Sequence, residues 1–210
     1  MTKVKITEEE ERARDANRER LNAIIQPLPR PGYTCDFSML KARRLITGLL
    51  ENEDQLEMIP DFQRGLVWSE EKQIYFVECM LRDLLPKSAY NLTFNMPYFY
   101  SGTKKDENVI PTKYQNLVCI DGLQRFSTIE NFVQGKFKVF NNQIGIDDLR
   151  FTPFDLGRKT FTVNVFEYDN TQDILNLYLN MNTGGIAHAD SEIDRVKRML
   201  QKTIEEEKSN

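Results

Sequence analysis

The chain holds a single histidine, His188, in 210 residues. A histidine-based zinc centre, or a nuclease centre of the HNH type, needs at least two imidazoles, or one with clustered cysteines. Neither is expected here. A Ser-His-Asp triad would have to use His188, which reads instead as a loop residue. Cysteine is also scarce. Cys35, Cys79 and Cys119 are odd in number and far apart, which argues against a disulfide framework and for a reducing compartment. Cys79 falls in a helical stripe and Cys119 in a strand, so both are expected to be buried thiols. No apolar run approaches the ~20 residues that span a bilayer. The first eleven residues lack the apolar core of a secretion signal. The expectation is a cytoplasmic chain with no membrane association. An excess of positive charge is missing too: 28 Lys+Arg stand against 32 Asp+Glu, for a net charge of −4 and a pI of about 5.3. That balance disfavours a broad, non-specific grip on nucleic acid but permits a local basic site. No internal repeat is visible.

What is present suits a globular domain: 40% of the residues are hydrophobic and 29% charged, enough for a core. Thr7-Glu8-Glu9-Glu10 has capping-box spacing and predicts a charged helix to about Ile25. Pro27, Pro29 and Pro31, followed by Gly32, end it. Residues 1–32 therefore read as a charged helical arm with a proline-rich linker, 33–200 as the main domain, and 201–210 as a charged tail that frays. Ser38 is placed as the cap of a helix through about Leu50. Leu56–Ile59 reads as a short strand. Ser69 caps a helix with Ile74, Val77, Leu81, Leu84 and Leu85 on one face. Tyr90–Tyr100 is an aromatic strand broken near Pro97, and Gly102–Thr112 a polar loop. Asn116–Ile120, Lys136–Phe140 and Thr160–Tyr168 are further strands. A helix from Arg125 to Gln134 ends at Gly135. Thr171 caps a helix that exits at Asn182-Thr183-Gly184-Gly185. Ser191 opens the last one, striped by Ile193, Val196, Leu200 and Ile204. The irregular alternation predicts an α+β fold with a mixed sheet and flanking helices.

One stretch carries chemistry. Val118 to Thr128 runs from an apolar strand into Asp121-Gly122, then Gln124, Arg125, Ser127 and Thr128 at the start of a helix. Helix N-termini offer unpaired N–H groups and a positive dipole end. A glycine allows close backbone approach, and arginine forks onto phosphate oxygens. The stretch thus suits an anion, phosphate above all, although a strand-turn-helix needs no ligand and Asp-Gly is a common turn. Gln63-Arg64 and Asn182-Thr183-Gly184-Gly185 share its character, with small or polar residues at the edges of elements.

In order and spacing the three blocks resemble the N-terminal domain family of the GmrSD-type restriction endonucleases, of ParB/sulfiredoxin-like fold. The pattern I-P-x-F-Q-R-x-x-x-W matches at Ile59–Trp68, D-G-x-Q-R-x-x-T at Asp121–Thr128, and N-T-G-G with a following acid at Asn182–Glu192. The resemblance implies nucleoside triphosphate binding and hydrolysis. Asp121, Gly122, Gln124 and Arg125 would line the site, with Gln63 and Arg64 opposite. In that setting Arg64 and Arg125 neutralise phosphate charge, and Asp121 holds Mg²⁺ directly or through water. Gln124 positions an attacking water. Ser127 and Thr128 donate to phosphate oxygens or simply sit in the helix. Asn182, Gly184 and Gly185 approach the ligand or form a plain helix exit. Trp68 stacks on a base or packs in the core. Arg64 and Arg125 have a structural alternative in pairing with Asp61 or Asp121. One departure matters: Leu123 stands where family members carry a second glutamine, which favours binding over hydrolysis.

The resemblance also implies a companion nuclease domain, so a stand-alone domain is expected. Its first expected role is a nucleotide-binding, weakly hydrolysing regulatory or sensing subunit in DNA restriction. Its partners would be a nucleoside triphosphate and a protein effector such as a nuclease, with DNA reached through that partner and homo-oligomers left open. The second is a catalytically silent interaction protein of phage or mobile-element origin that antagonises a host complex. The third, weaker, is a ParB-like DNase with carboxylates from Asp121 and Asp61 or Glu192.

Overall fold

The computed structural model describes residues 7–25, 27–100, 112–183 and 190–208. Gly184, Gly185 and His188, and the Glu192 side chain, lie outside the described residues, as does most of the polar loop expected at 102–112. The chain divides into two compact units, Met1–Arg30 and Pro31–Asn210.

The first unit contains α1 (Glu8–Ile25). The Thr7 N–H donates to Glu10 Oε2 at 2.9 Å, and the Glu10 N–H donates to Thr7 Oγ1 at 3.3 Å. This is the reciprocal cap expected from the spacing. Leu21, Ile24 and Ile25 are exposed.

The second unit is α+β. Its strands are β1 (Tyr33–Ser38), β2 (Leu56–Glu57), β3 (Asn91–Asn95), β4 (Leu117–Asp121) and β5 (Thr160–Phe166). They form a mixed sheet in the order β1-β5-β3-β4-β2. β3 runs parallel to β5 and antiparallel to β4, β2 runs parallel to β4, and β1 antiparallel to β5. The helices are α2 (Ala42–Thr47), α3 (Glu70–Leu81), α4 (Leu123–Val133), α5 (Thr171–Thr183) and α6 (Asp190–Lys208). Period-two alternation along β4 divides the core. Leu117 and Cys119 join a cluster with Ile46 of α2, Val77 of α3 and Phe126 of α4. Val118 and Ile120 join another with Ile174 and Tyr178 of α5 and Val196 of α6. β4 is therefore covered on both faces, and its C-terminal end meets the polar junction described below.

Several expectations are corrected. Tyr33–Ser38 is a strand, with Thr34 and Asp36 outward and Phe37 buried. Ser38 makes no side-chain cap; a 3-10 turn at Met39–Lys41 follows, and α2 ends at Thr47, short of Leu50. The helix capped by Ser69, which accepts from the Lys72 N–H at 3.4 Å, stops at Leu81, so Leu84 is exposed rather than inward. Residues 136–140 are not a strand. Phe140, Asn141 and Asn142 adopt φ of +52°, +54° and +62°, turning the chain so that only Val139 and Ile144 bridge. Asparagine tolerates this left-handed region better than most residues. The cap of α5 is Asn170, not Thr171: its Oδ1 accepts from the Asp173 N–H at 2.8 Å. α6 runs through Lys208, across the boundary expected at 201, with Ile193 and Val196 buried as the stripe requires. At the end of α4, Gly135 has φ +71° and the Lys136 N–H donates to Asn131 O at 2.9 Å, the left-handed exit expected there.

Candidate functional site

β4 ends at Asp121, and Gly122 turns the chain directly into α4. Gly122 has φ +105°. A Cβ on it would lie 2.5 Å from Leu92 Cδ2 and 3.3 Å from Asn91 O. The glycine is thus required by the close passage of β3. Leu123, the first residue of α4, is buried in the core. With Gly122 as N-cap, no side chain caps α4, so its first turn presents the positive end of the dipole without a neutralising acceptor of its own.

Arg125 lies one turn on. Its Nη2 donates to Asp121 Oδ2 at 2.6 Å and to Asn91 O at 3.0 Å, tying α4 to β4 and β3. Both side chains are partly buried, at 22% and 35% exposure, so the pair is worth more than a surface ion pair yet remains screened. The pairing considered for Arg125 is therefore present.

The segment between β2 and α3 crosses this junction. Gln63 Nε2 donates to Ile120 O at 3.2 Å. Gln124 Oε1 accepts from the Val67 and Trp68 N–H groups at 3.0 and 3.2 Å, and its Nε2 donates to Gly65 O at 2.9 Å. The two amides hold the Gln63-Arg64 loop against the start of α4. The structure thereby brings together Gln63, Asp121, Gly122, Gln124 and Arg125, with Arg64 on the held loop. Gln63 Oε1, Arg125 Nε and Thr128 Oγ1 are buried and have no hydrogen-bond partner among the described residues. Buried polar atoms are normally satisfied, so these three mark unmet bonding capacity. Ser127 is half-buried on the same helix. Trp68 packs on Phe76, with ring centroids 5.4 Å apart, and Lys72 Nζ lies 4.8 Å from its ring centre.

Cys119 lies beneath the junction. Burial, together with the Asp121 charge, pushes its thiol up to about 12, against smaller lowering contributions from Gln63, Arg125 and the Leu123 N–H. It is an inert core thiol in the neutral form. Asn182 is buried, and its Nδ2 donates to Tyr178 O at 2.7 Å within α5.

On the other side of the loop is a network for which only Asp61 was considered from sequence. Asp61 accepts from Lys113 Nζ and from Tyr114 Oη, both at 2.5 Å. Burial works to raise the Asp61 carboxyl, but these hydrogen bonds and the charges of Lys113 and Arg195 outweigh it and hold the group below its ordinary range. Arg195 of α6 donates to Asp61 O and Phe62 O at 2.5 and 2.7 Å. Nothing local in the sequence signals Arg195. It is one of many charges on a helix, and its partners are backbone carbonyls more than a hundred residues away.

Among the described residues no group of three or more His, Cys, Asp or Glu is gathered to hold a metal. Asp121 is the one carboxylate of the β4–α4 turn, and Arg125 engages one of its oxygens. One carboxylate is not a metal cage; a hard cation here would need further oxygen ligands from water or from a bound molecule. No helix among the described residues is long and apolar enough to cross a membrane.

The fold and the site define an α+β domain with a mixed sheet and a basic, amide-lined junction at the end of β4. The family model of the GmrSD restriction endonuclease, N-terminal domain, matches residues 46–156, and the chain belongs to this family. The match contains both the Gln63-Arg64 loop and the Asp121–Thr128 junction. Asn182 and α6 lie beyond it. Membership relates the chain to DNA restriction. No curated protein and no solved structure matches it.

Proposed function

We propose that the chain is a ParB/sulfiredoxin-like, nucleoside triphosphate-binding domain that serves as a regulatory or sensing subunit in DNA restriction, acting on a protein effector such as a nuclease. The observation that carries this reading is the held loop. The loop that carries Gln63 and Arg64 is tied to Ile120 and to Gln124 in the first turn of α4, an uncapped helix N-terminus, with Gln63 Oε1 and Arg125 Nε buried and unpartnered among the described residues. Phosphate oxygens would take the α4 N–H groups and arginine donors, and a ligand hydroxyl would satisfy the Gln63 oxygen. When bound, Mg²⁺ would neutralise phosphate charge, with Asp121 as its protein ligand. Arg125 positions Asp121, and Gln124 keeps the loop closed over the junction.

Binding is favoured over turnover, because the Gln124 amide already uses its donor and its acceptor on the loop and Leu123 adds no polar group. The same observation supports a second reading, a catalytically silent interaction protein that antagonises a host complex. Turnover above background would exclude that reading. Loss of a partner complex on deleting residues 1–30, without turnover, would favour it.

The test is thermal melting with Mg²⁺ and each of ATP, GTP, CTP and UTP. At 100 times Kd one ligand adds about 2.7 kcal/mol, on the order of 5–10 °C in Tm for a chain of this size. Arg64→Ala is expected to remove the shift. Identical melting with and without all four nucleotides refutes the reading.

A further inference from the structure

The loop that bears Gln63 and Arg64 is gripped at both ends. At its end, Gln124 of α4 binds Gly65, Val67 and Trp68. At its start, Arg195 of α6 forks onto the carbonyls of Asp61 and Phe62, the two residues directly before Gln63. A guanidinium is planar and delocalised, so two of its donors can meet neighbouring acceptors together. Such charge-assisted bonds are stronger than neutral ones. They fix two successive peptide planes and hence the direction in which Gln63 and Arg64 leave the core. Phe62 is fully buried, edge-on to Tyr114 and Tyr178 with ring centroids 5.1 and 5.2 Å away. The loop start is thus anchored to α5 and α6, on the opposite face of the sheet from α4.

We propose that Arg195 is a positioning residue for the Gln63-Arg64 loop and that, through it, α6 and the β4–α4 junction are energetically coupled. The ligand half of this inference rests on the nucleotide-binding reading; the clamp does not. If a ligand favours the closed loop, linkage requires it to favour the seated α6 by the same factor, and displacement of α6 weakens the ligand by that factor.

Hydrogen exchange of the full chain tests both halves. Without ligand, Arg195→Met and Arg195→Lys are each expected to speed exchange in the Phe62–Trp68 segment by about tenfold, with β4 and α3 unchanged. Lysine keeps the charge but cannot fork onto both carbonyls. Unchanged loop exchange in Arg195→Met refutes the positioning role, and so does full rescue by lysine. Equal acceleration in β4 and α3 in both variants also refutes it, because the residue would then support the whole domain. Adding Mg²⁺ with each nucleotide to the unsubstituted chain is expected to slow exchange in the loop and in α6 together. Protection of the loop alone refutes the coupling. No nucleotide effect anywhere refutes the nucleotide reading, while the ligand-free comparison still decides the role of Arg195.

Discussion

Replacing Gly122 by alanine would place a methyl carbon 2.5 Å from Leu92 Cδ2 and 3.3 Å from Leu92 Cα and Asn91 O. Leu92 is fully buried in the core, so its side chain cannot swing into solvent. The backbone at φ +105° adds roughly 1–3 kcal/mol for a residue with a Cβ. Overpacking adds roughly 1–3 kcal/mol more. The sum of about 2–6 kcal/mol is a large part of a typical folding free energy and predicts a Tm lower by roughly 4–24 °C. Gly135→Ala is the matched control. Its φ is +71°, yet nothing lies within 4 Å of the added carbon, so only the backbone cost of roughly 1–2 kcal/mol is expected. Thermal and urea melts of both variants isolate the steric part. Leu92→Ala combined with Gly122→Ala should cost less than the two changes summed, since the small side chain removes the clash. Equal destabilisation by Gly122→Ala and Gly135→Ala would refute the claim that β3 dictates the glycine.

Two further outcomes follow from ionisation. The Asp61 carboxyl is held below its ordinary range, so its stabilisation is full above the unfolded carboxylate pKa and is lost as pH falls through the lower folded value. Urea melts from pH 7 down to pH 2 should show part of the acid destabilisation removed in Asp61→Asn; an unchanged profile would contradict the network. At pH 8 a thiol reagent should modify the half-buried Cys35 well before the buried Cys79 and Cys119, the last with its thiol pushed up to about 12; peptide mapping that finds Cys119 modified first would contradict its burial.

Much of the junction was legible because its signals are local. Strand, Asp-Gly and helix follow one another in Val118–Thr128, and Gly135 closes the helix a few turns later. The Thr7–Glu10 cap was legible for the same reason. β1 also has a signal, the alternation of Tyr33, Cys35 and Phe37 with Thr34 and Asp36, but it is short and lies directly after the proline-rich linker. Lys136–Phe140 misled because its apolar alternation resembles a strand, while the left-handed turn at Phe140–Asn142 overrides it. The reason for Gly122 was not legible, since it depends on where β3 passes. The partners of Gln124 were hidden as well: an amide in a polar motif looks the same whether it faces a ligand or the backbone of Gly65. Arg195 was the least visible, because its role depends on a contact 134 residues away in sequence.

The edge strand β1 pairs with a strand far along the chain: Thr34 bonds Asn164, 130 residues later. At synthesis rates of about 5–20 residues per second, Tyr33–Ser38 waits on the order of 10 s for its partner to leave the ribosome. Nascent chains of this protein therefore expose Tyr33, Cys35 and Phe37 until β5 has left the ribosome, which makes this segment a natural target for a chaperone that scans for unpaired strands.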